Sequence, residues 1–165
     1  EDRALLRNET AKLAAFSGYG TITEDIVARF SVHNIEADVF ELIRLITAGR
    51  KAAAHQKLAD LLALRHEPVA LSAALAGSYA DMMRVRWGGA AGHGTGDVMR
   101  DFGYRGSDYR LKKARESAAR YPAARLEEAT LLLAGLDKAL KSSALPDKSL
   151  LLQAAVGRLI QLGAR

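Results

Sequence analysis

Apolar positions recur along this chain at intervals of three and four, the spacing that gathers side chains on one face of an α-helix. Leu5, Leu6, Leu13 and Phe16 follow it over residues 3–16, and Ser17-Gly18-Tyr19-Gly20 closes the segment. Thr23 then reads as the N-cap of a short helix through Phe30, because Glu24 and Asp25 place acids in its first turn. Residues 31–37 are a polar connection and the candidate domain boundary. Over 39–46 the Val, Phe and Ile content favours a strand. The apolar pairs 39/40, 42/43 and 45/46, separated by Glu41 and Arg44, have a period near three, however. That period predicts a helix, capped by Asp38 and stopped by Gly49. A second helix over 51–64 pairs with it as an antiparallel hairpin.

Glu67-Pro68 opens the next helix, proline being tolerated in a first turn. It is expected to reach Trp87, with Leu71, Leu75, Tyr79, Met82 and Met83 inward. Residues 88–96 hold five glycines in nine positions and read as a flexible loop. A short helix over 97–102 leads through Gly103 and Gly106 to Ser107, the expected N-cap of a helix to Arg120. Leu111, Ala114, Ala118 and Tyr121 form its buried stripe. Pro122 opens the longest pattern, 123–142, where Leu126, Ala129, Leu133, Leu136 and Leu140 repeat and Leu131 and Leu132 widen the apolar face. Pro146 and Asp147 start a last helix to Leu162, burying Leu151, Leu152, Ala155, Val156, Leu159 and Ile160. The fold class is all-α, built of helical hairpins with no repeat of fixed period.

Composition narrows the functional classes. The 165 residues contain no cysteine, which excludes disulfides, thiolate zinc sites and a thiol nucleophile. No apolar run approaches the roughly 18 residues of a membrane span, so no membrane partner is expected. The first residue is Glu1, not Met, which suggests a piece cut from a longer protein. Net charge is +5, and its location matters more than its size. Residues 1–100 carry 12 basic and 12 acidic side chains, whereas residues 101–165 carry 12 and 7. The excess gathers around Arg105, Arg110, Lys112, Lys113, Arg115 and Arg120, a patch able to meet DNA or an acidic protein surface.

Catalytic constellations fail on inspection. Residues 89–95 have the glycine spacing of a phosphate-binding loop, but Thr95 stands where the lysine belongs and no strand precedes it. His33, His55, His66 and His93 are not at ligand spacings, so neither metal nor cofactor is expected. Ser78, in Ala-Gly-Ser-Tyr-Ala, lacks the second glycine of a nucleophile elbow. An enzyme is therefore not the leading class. Residues 97–120, a short helix, a glycine turn and a basic helix, offer an alternative: a helix-turn-helix DNA-binding protein contacting DNA through Tyr109, Arg110, Lys112 and Lys113.

The carboxyl-terminal half carries a specific resemblance. Arg120-Tyr121 leads to Arg125-Leu126-Glu127-Glu128-Ala129, and then to Leu136-Asp137-Lys138-Ala139-Leu140-Lys141-Ser142 before a Leu-rich last helix. This is similar to the carboxyl-terminal domain of the delta subunit of the bacterial DNA polymerase III clamp loader, with Asp137, Lys138, Leu140 and Lys141 in the family-like motif. Three earlier segments agree in order. Leu6-Arg7-Asn8-Glu9-Thr10-Ala11-Lys12-Leu13 and Thr21-Ile22-Thr23-Glu24-Asp25-Ile26-Val27 resemble the family's middle domain, and Val39-Phe40-Glu41-Leu42 resembles the start of its third. The resemblance implies the short helical end of a lid domain over 1–34 and a helical collar domain over 35–165. It implies a non-catalytic, bacterial cytoplasmic assembly module whose partners are the other clamp-loader subunits, met through the collar. The sliding clamp would be bound only by an amino-terminal domain missing here. Leu126, Leu133, Leu136, Leu140, Leu152 and Leu159 become the candidate subunit-packing face. The glycine-rich 88–96 segment departs from the family's pattern.

Overall fold

The three-and-four spacing is realised as helix throughout. A computed structural model describes residues 2–23, 26, 35–142 and 147–163. Among these the fold is all-α, with eight helices and no strand. The chain divides into two compact units, Glu1–Asn34 and Ile35–Arg165.

The first unit contains α1, Asp2–Phe16. Gly18 and Tyr19 both take positive φ and end it, with the Tyr19 N–H donating to the Ala14 carbonyl at 2.7 Å. The Ile26 N–H donates to Thr23 Oγ1 at 3.4 Å, the bond an N-capping threonine makes. The rest of the helix expected after Thr23, and residues 31–34 of the polar connection, lie outside the described residues.

The second unit holds α2 (Ile35–Thr47), α3 (Lys51–Ala63), α4 (Pro68–Ala90), α5 (Thr95–Asp101), α6 (Tyr109–Ala118), α7 (Ala123–Lys141) and α8 (Lys148–Gly163). Helix α2 begins before Asp38, which is therefore not a cap. Asp38 and Glu41 instead receive Lys57 of α3 at 2.8 and 3.0 Å and pin the hairpin. Burial alone would lower the Lys57 pKa, but these two bonds outweigh it and hold it above its ordinary value. Gly49, at φ +69°, makes the left-handed turn that closes α2: its N–H bonds the Ile46 carbonyl and that of Arg50 bonds Leu45. At the start of α8, Asp147 accepts the N–H groups of Ser149 and Leu150. Pro146, expected to open that helix, lies outside the described residues.

Helix α4 is the axis of this unit and packs on α2, α5, α6, α7 and α8. Leu71, Leu75, Tyr79, Met82, Met83 and Val85 bury on several of its sides, as a helix surrounded by others requires. It runs three residues beyond Trp87, so the expected loop over 88–96 shrinks to 91–94. One of the glycines answers a packing need: a Cβ on Gly88 would lie 2.6 Å from Val98 Cγ2 of α5. Glycine content alone does not separate a flexible loop from a close approach of two backbones. Tyr121 joins α6 to the core, its ring edge-on to Tyr79 at 5.8 Å and its hydroxyl donating to the Leu159 carbonyl at 3.0 Å. Burial, together with the neighbouring Tyr121, pushes the Tyr79 phenol well up.

Candidate functional site

Helix α6 presents the basic segment, and a buried acid of α4 sets its position. Asp81 is fully buried and accepts Arg110 Nε–H at 2.5 Å, the Tyr104 hydroxyl, and Arg84 at 3.4 Å. Arg84 also donates to the Tyr104 oxygen at 2.5 Å and lies over the Phe102 ring at 4.8 Å. Burial first, and then the bond to Asp81, raise the Tyr104 phenol pKa. A charge can stay at this depth because paired cations and donors replace its lost hydration.

Arg110 is thus an anchor with its guanidinium turned into the domain. Lys112 pairs with Asp108 at 3.0 Å and Lys113 with Glu116 at 2.9 Å, which leaves their charges locally balanced. The bond to Glu116 holds the Lys113 ammonium above its ordinary pKa. Arg105, Arg115 and Arg120 are exposed and have no ion pair among the described residues. Three of the six basic residues therefore have no ion pair among the described residues, and they lie before, within and after the helix. The helix-turn-helix alternative loses Arg110 and Lys113 as free reading side chains. Tyr109 remains exposed, with Lys113 near its ring at 5.7 Å.

Helix α6 stops at Ala118, two residues short of the expected end. Arg86 of α4 explains the stop: its Nη1 donates to the Ala118 and Tyr121 carbonyls at 2.8 and 2.7 Å. A cation at a helix carboxyl terminus satisfies orphan carbonyls and the dipole together. Ser107 Oγ accepts the Tyr109 N–H at 3.2 Å, at the opposite end of the helix. Neither Asp81 nor Arg86 stood out in the sequence. Their only signal is a charge placed at an inward phase of an apolar helix.

The apolar candidates separate sharply. Leu126, Leu133, Leu136, Leu140, Leu152 and Leu159 are all buried in this unit's own core, so they hold α7 and α8 against α4 within one chain. They are not available to a second subunit. Leu131 is the exposed leucine of α7, at 74%, and it shares its stripe with Ala124, Glu127, Glu128, Ala134, Gly135 and Lys138, all exposed. Leu132 packs at the core edge. In the family-like motif, Lys141 bonds Asp137 at 2.7 Å one turn away, Leu140 is buried and Lys138 faces solvent. Asp137 and Lys141 thus have a local role, a pair at the favourable spacing near a helix end. Among the described residues no group of three or more His, Asp or Glu side chains is placed to hold a metal. No helix among them is long and apolar enough to cross a membrane.

Seven helices, packed with one of them as a buried axis and with a charge-anchored basic helix on the flank, define an all-α helical domain. The profile of the DNA polymerase III delta subunit, C-terminal domain, matches residues 36–159, and the chain belongs to that family. The chain also superposes on the Bacillus subtilis DNA clamp loader delta protein (YqeN) with a TM-score of 0.75 and 25% identity. That match covers 93% of this chain and 45% of the other, so the chain spans about half the length of its structural relative. No curated protein sequence matches the chain.

Proposed function

We propose that residues 35–165 are the collar domain through which a clamp-loader delta subunit joins its partner subunits, and that residues 1–34 are the end of its lid domain. The chain's contribution to loading the sliding clamp in DNA replication is assembly, not chemistry. Binding of the clamp is assigned to an amino-terminal domain outside these 165 residues. The observation that carries this reading is the coincidence of the family match, 36–159, with the compact unit 35–165. The exposed stripe of α7 around Leu131 supplies a face for the helical domain of a neighbouring subunit. It offers an apolar centre with charged residues at its rim, the usual anatomy of a subunit contact.

Sedimentation velocity of this chain mixed with the collar domains of the other clamp-loader subunits from the same bacterium tests the proposal. A complex at micromolar concentration is expected. Independent sedimentation of every component at that concentration would refute it.

A further inference from the structure

The exposed face of α7 has an order that its composition hides. Ala124, Glu127, Leu131, Ala134, Lys138 and Lys141 are all exposed and follow one another at steps of three, four, three, four and three residues. Such steps keep side chains on one stripe of a helix, and these read the same from either end. The charges break that symmetry. Glu127 stands toward the amino-terminal end and Lys138 toward the carboxyl-terminal end, and neither has an ion pair among the described residues. The other charges of α7 are engaged within the chain. Arg158 bonds Glu128 at 2.9 Å, and Lys141 bonds Asp137 at 2.7 Å. Arg125, about a third of a turn away from the stripe, donates to the Leu162 carbonyl at 3.4 Å. One unpaired acid and one unpaired base thus flank an exposed leucine on the same face.

We infer that this face binds a second copy of the chain, α7 lying antiparallel on α7 about a two-fold axis between residues 132 and 133. A two-fold axis joins the same patch from both chains, so every contact is made twice. Because the steps are the same in both directions, Leu131 meets Ala134 of the second copy and Glu127 meets its Lys138. Each charge left without a partner in one chain gains one from the other. A large side chain facing a small one lets the two helices interdigitate. Gly135 adds clearance beside Ala134, since a Cβ there would meet nothing within 4 Å. The antiparallel direction also sets the two helix dipoles in opposition. A parallel pair would place Glu127 on Glu127 and Lys138 on Lys138, which like-charge repulsion disfavours. A contact confined to one helix face falls below the roughly 1,000 Å² of a stable interface, so the dissociation constant is on the order of 100 μM. Leu131 is also the centre of the stripe assigned above to a neighbouring subunit. On that reading the homodimer and the loader complex exclude each other, and self-association covers the leucine until a partner subunit takes its place.

The test is sedimentation equilibrium of this chain alone, from about 10 μM to about 1 mM, a range that brackets a weak dimer. A reversible monomer–dimer equilibrium is expected. Glu127→Lys and Lys138→Glu each replace two attractive pairs by two repulsive ones and should weaken the dimer about fivefold or more. The double variant with the two charges exchanged restores both pairs and should return to within about twofold of wild type. Circular dichroism checks that each variant is folded, which exposed positions allow. A second measurement reads the direction of the helices. The chain has no cysteine, so Glu127→Cys and Lys138→Cys each introduce a single thiol. Mixed and oxidised, the two variants should join to each other. Neither should join to itself, because equivalent positions lie roughly 16 Å apart along an antiparallel pair, beyond the about 7 Å between Cα atoms that a disulfide spans. A chain that stays monomeric at about 1 mM would overturn the inference. Charge variants without effect, a double variant that is not restored, or self-joining as ready as joining in the mixture would overturn it as well. The subunit complex is measured at micromolar concentration, where so weak a homodimer is scarcely populated, so either reading can fail without the other.

Discussion

Asp81 shows how one residue organises a surface it never reaches. Its carboxylate lies in the core of α4, and through Arg110 and Tyr104 it fixes the basic helix and the turn before it. Replacing Asp81 with Asn keeps the shape but leaves two guanidinium groups facing a neutral amide. Removing one partner of a buried pair costs about 3–5 kcal/mol, and the lower end applies because Arg84 and Arg110 keep some contact with water. Asp81→Asn should therefore lose about 3 kcal/mol in urea unfolding, and a loss under about 1 kcal/mol would show that the network contributes little. Periodicity shows only an acid at an inward phase of α4, and none of its partners. An aspartate in a helix reads as a surface residue, and its partner is 29 positions away. The basic patch was legible as a count of charges, but pairing decides which of those charges are free, and pairing is a tertiary property.

At the scale of elements, the pattern located every described helix of the second unit, and the errors fell at the ends. Helix ends depend on distant residues that the pattern does not show: Arg86 caps α6, and at the end of α4 the approach of α5 leaves room at position 88 only for glycine. The glycine contact can be measured. Gly88→Ala gains helix propensity of about 0.8–1.0 kcal/mol but drives a Cβ into Val98, an overpacking cost of about 1–3 kcal/mol. Net destabilisation is expected. Val98→Ala in the Gly88→Ala background should cost less than it does alone, and a strictly additive double-mutant cycle would contradict the contact. At the other side of the short loop, Asp97 accepts the Gly94 N–H at 2.9 Å and pairs with Arg100 at 2.5 Å. The Gly94 bond first, then Arg100, lower its pKa below the ordinary 3.8, with burial opposing. A carboxylate with a lowered folded pKa stabilises α5 above the ordinary value and releases that stabilisation as pH falls through the folded one. An NMR titration of the Asp97 carboxyl carbon should place its midpoint below 3.8, and a midpoint at or above 3.8 would remove the cap.

At the scale of the molecule, the sequence supported the all-α class and the family because both depend on order and spacing along the chain. It could not say which apolar face of α7 turns inward, since a wide face looks the same whether one chain or two cover it. The two outcomes give opposite mutational signatures. Leu133→Ala should cost about 2–5 kcal/mol of stability, as for other truncations of buried leucine. Leu131→Glu should change stability by less than about 0.5 kcal/mol, as an exposed site does. The same Leu131 change places a carboxylate at the centre of the stripe proposed to meet a neighbouring subunit, where an unpaired buried charge is strongly disfavoured. The most direct measurement of the central claim is the affinity of this chain for its partner collar domains, wild type against Leu131→Glu, by sedimentation velocity. A wild-type complex at micromolar concentration that is weakened at least about tenfold by Leu131→Glu, with unchanged stability, is the predicted result. No complex, or a complex indifferent to that substitution, would contradict it.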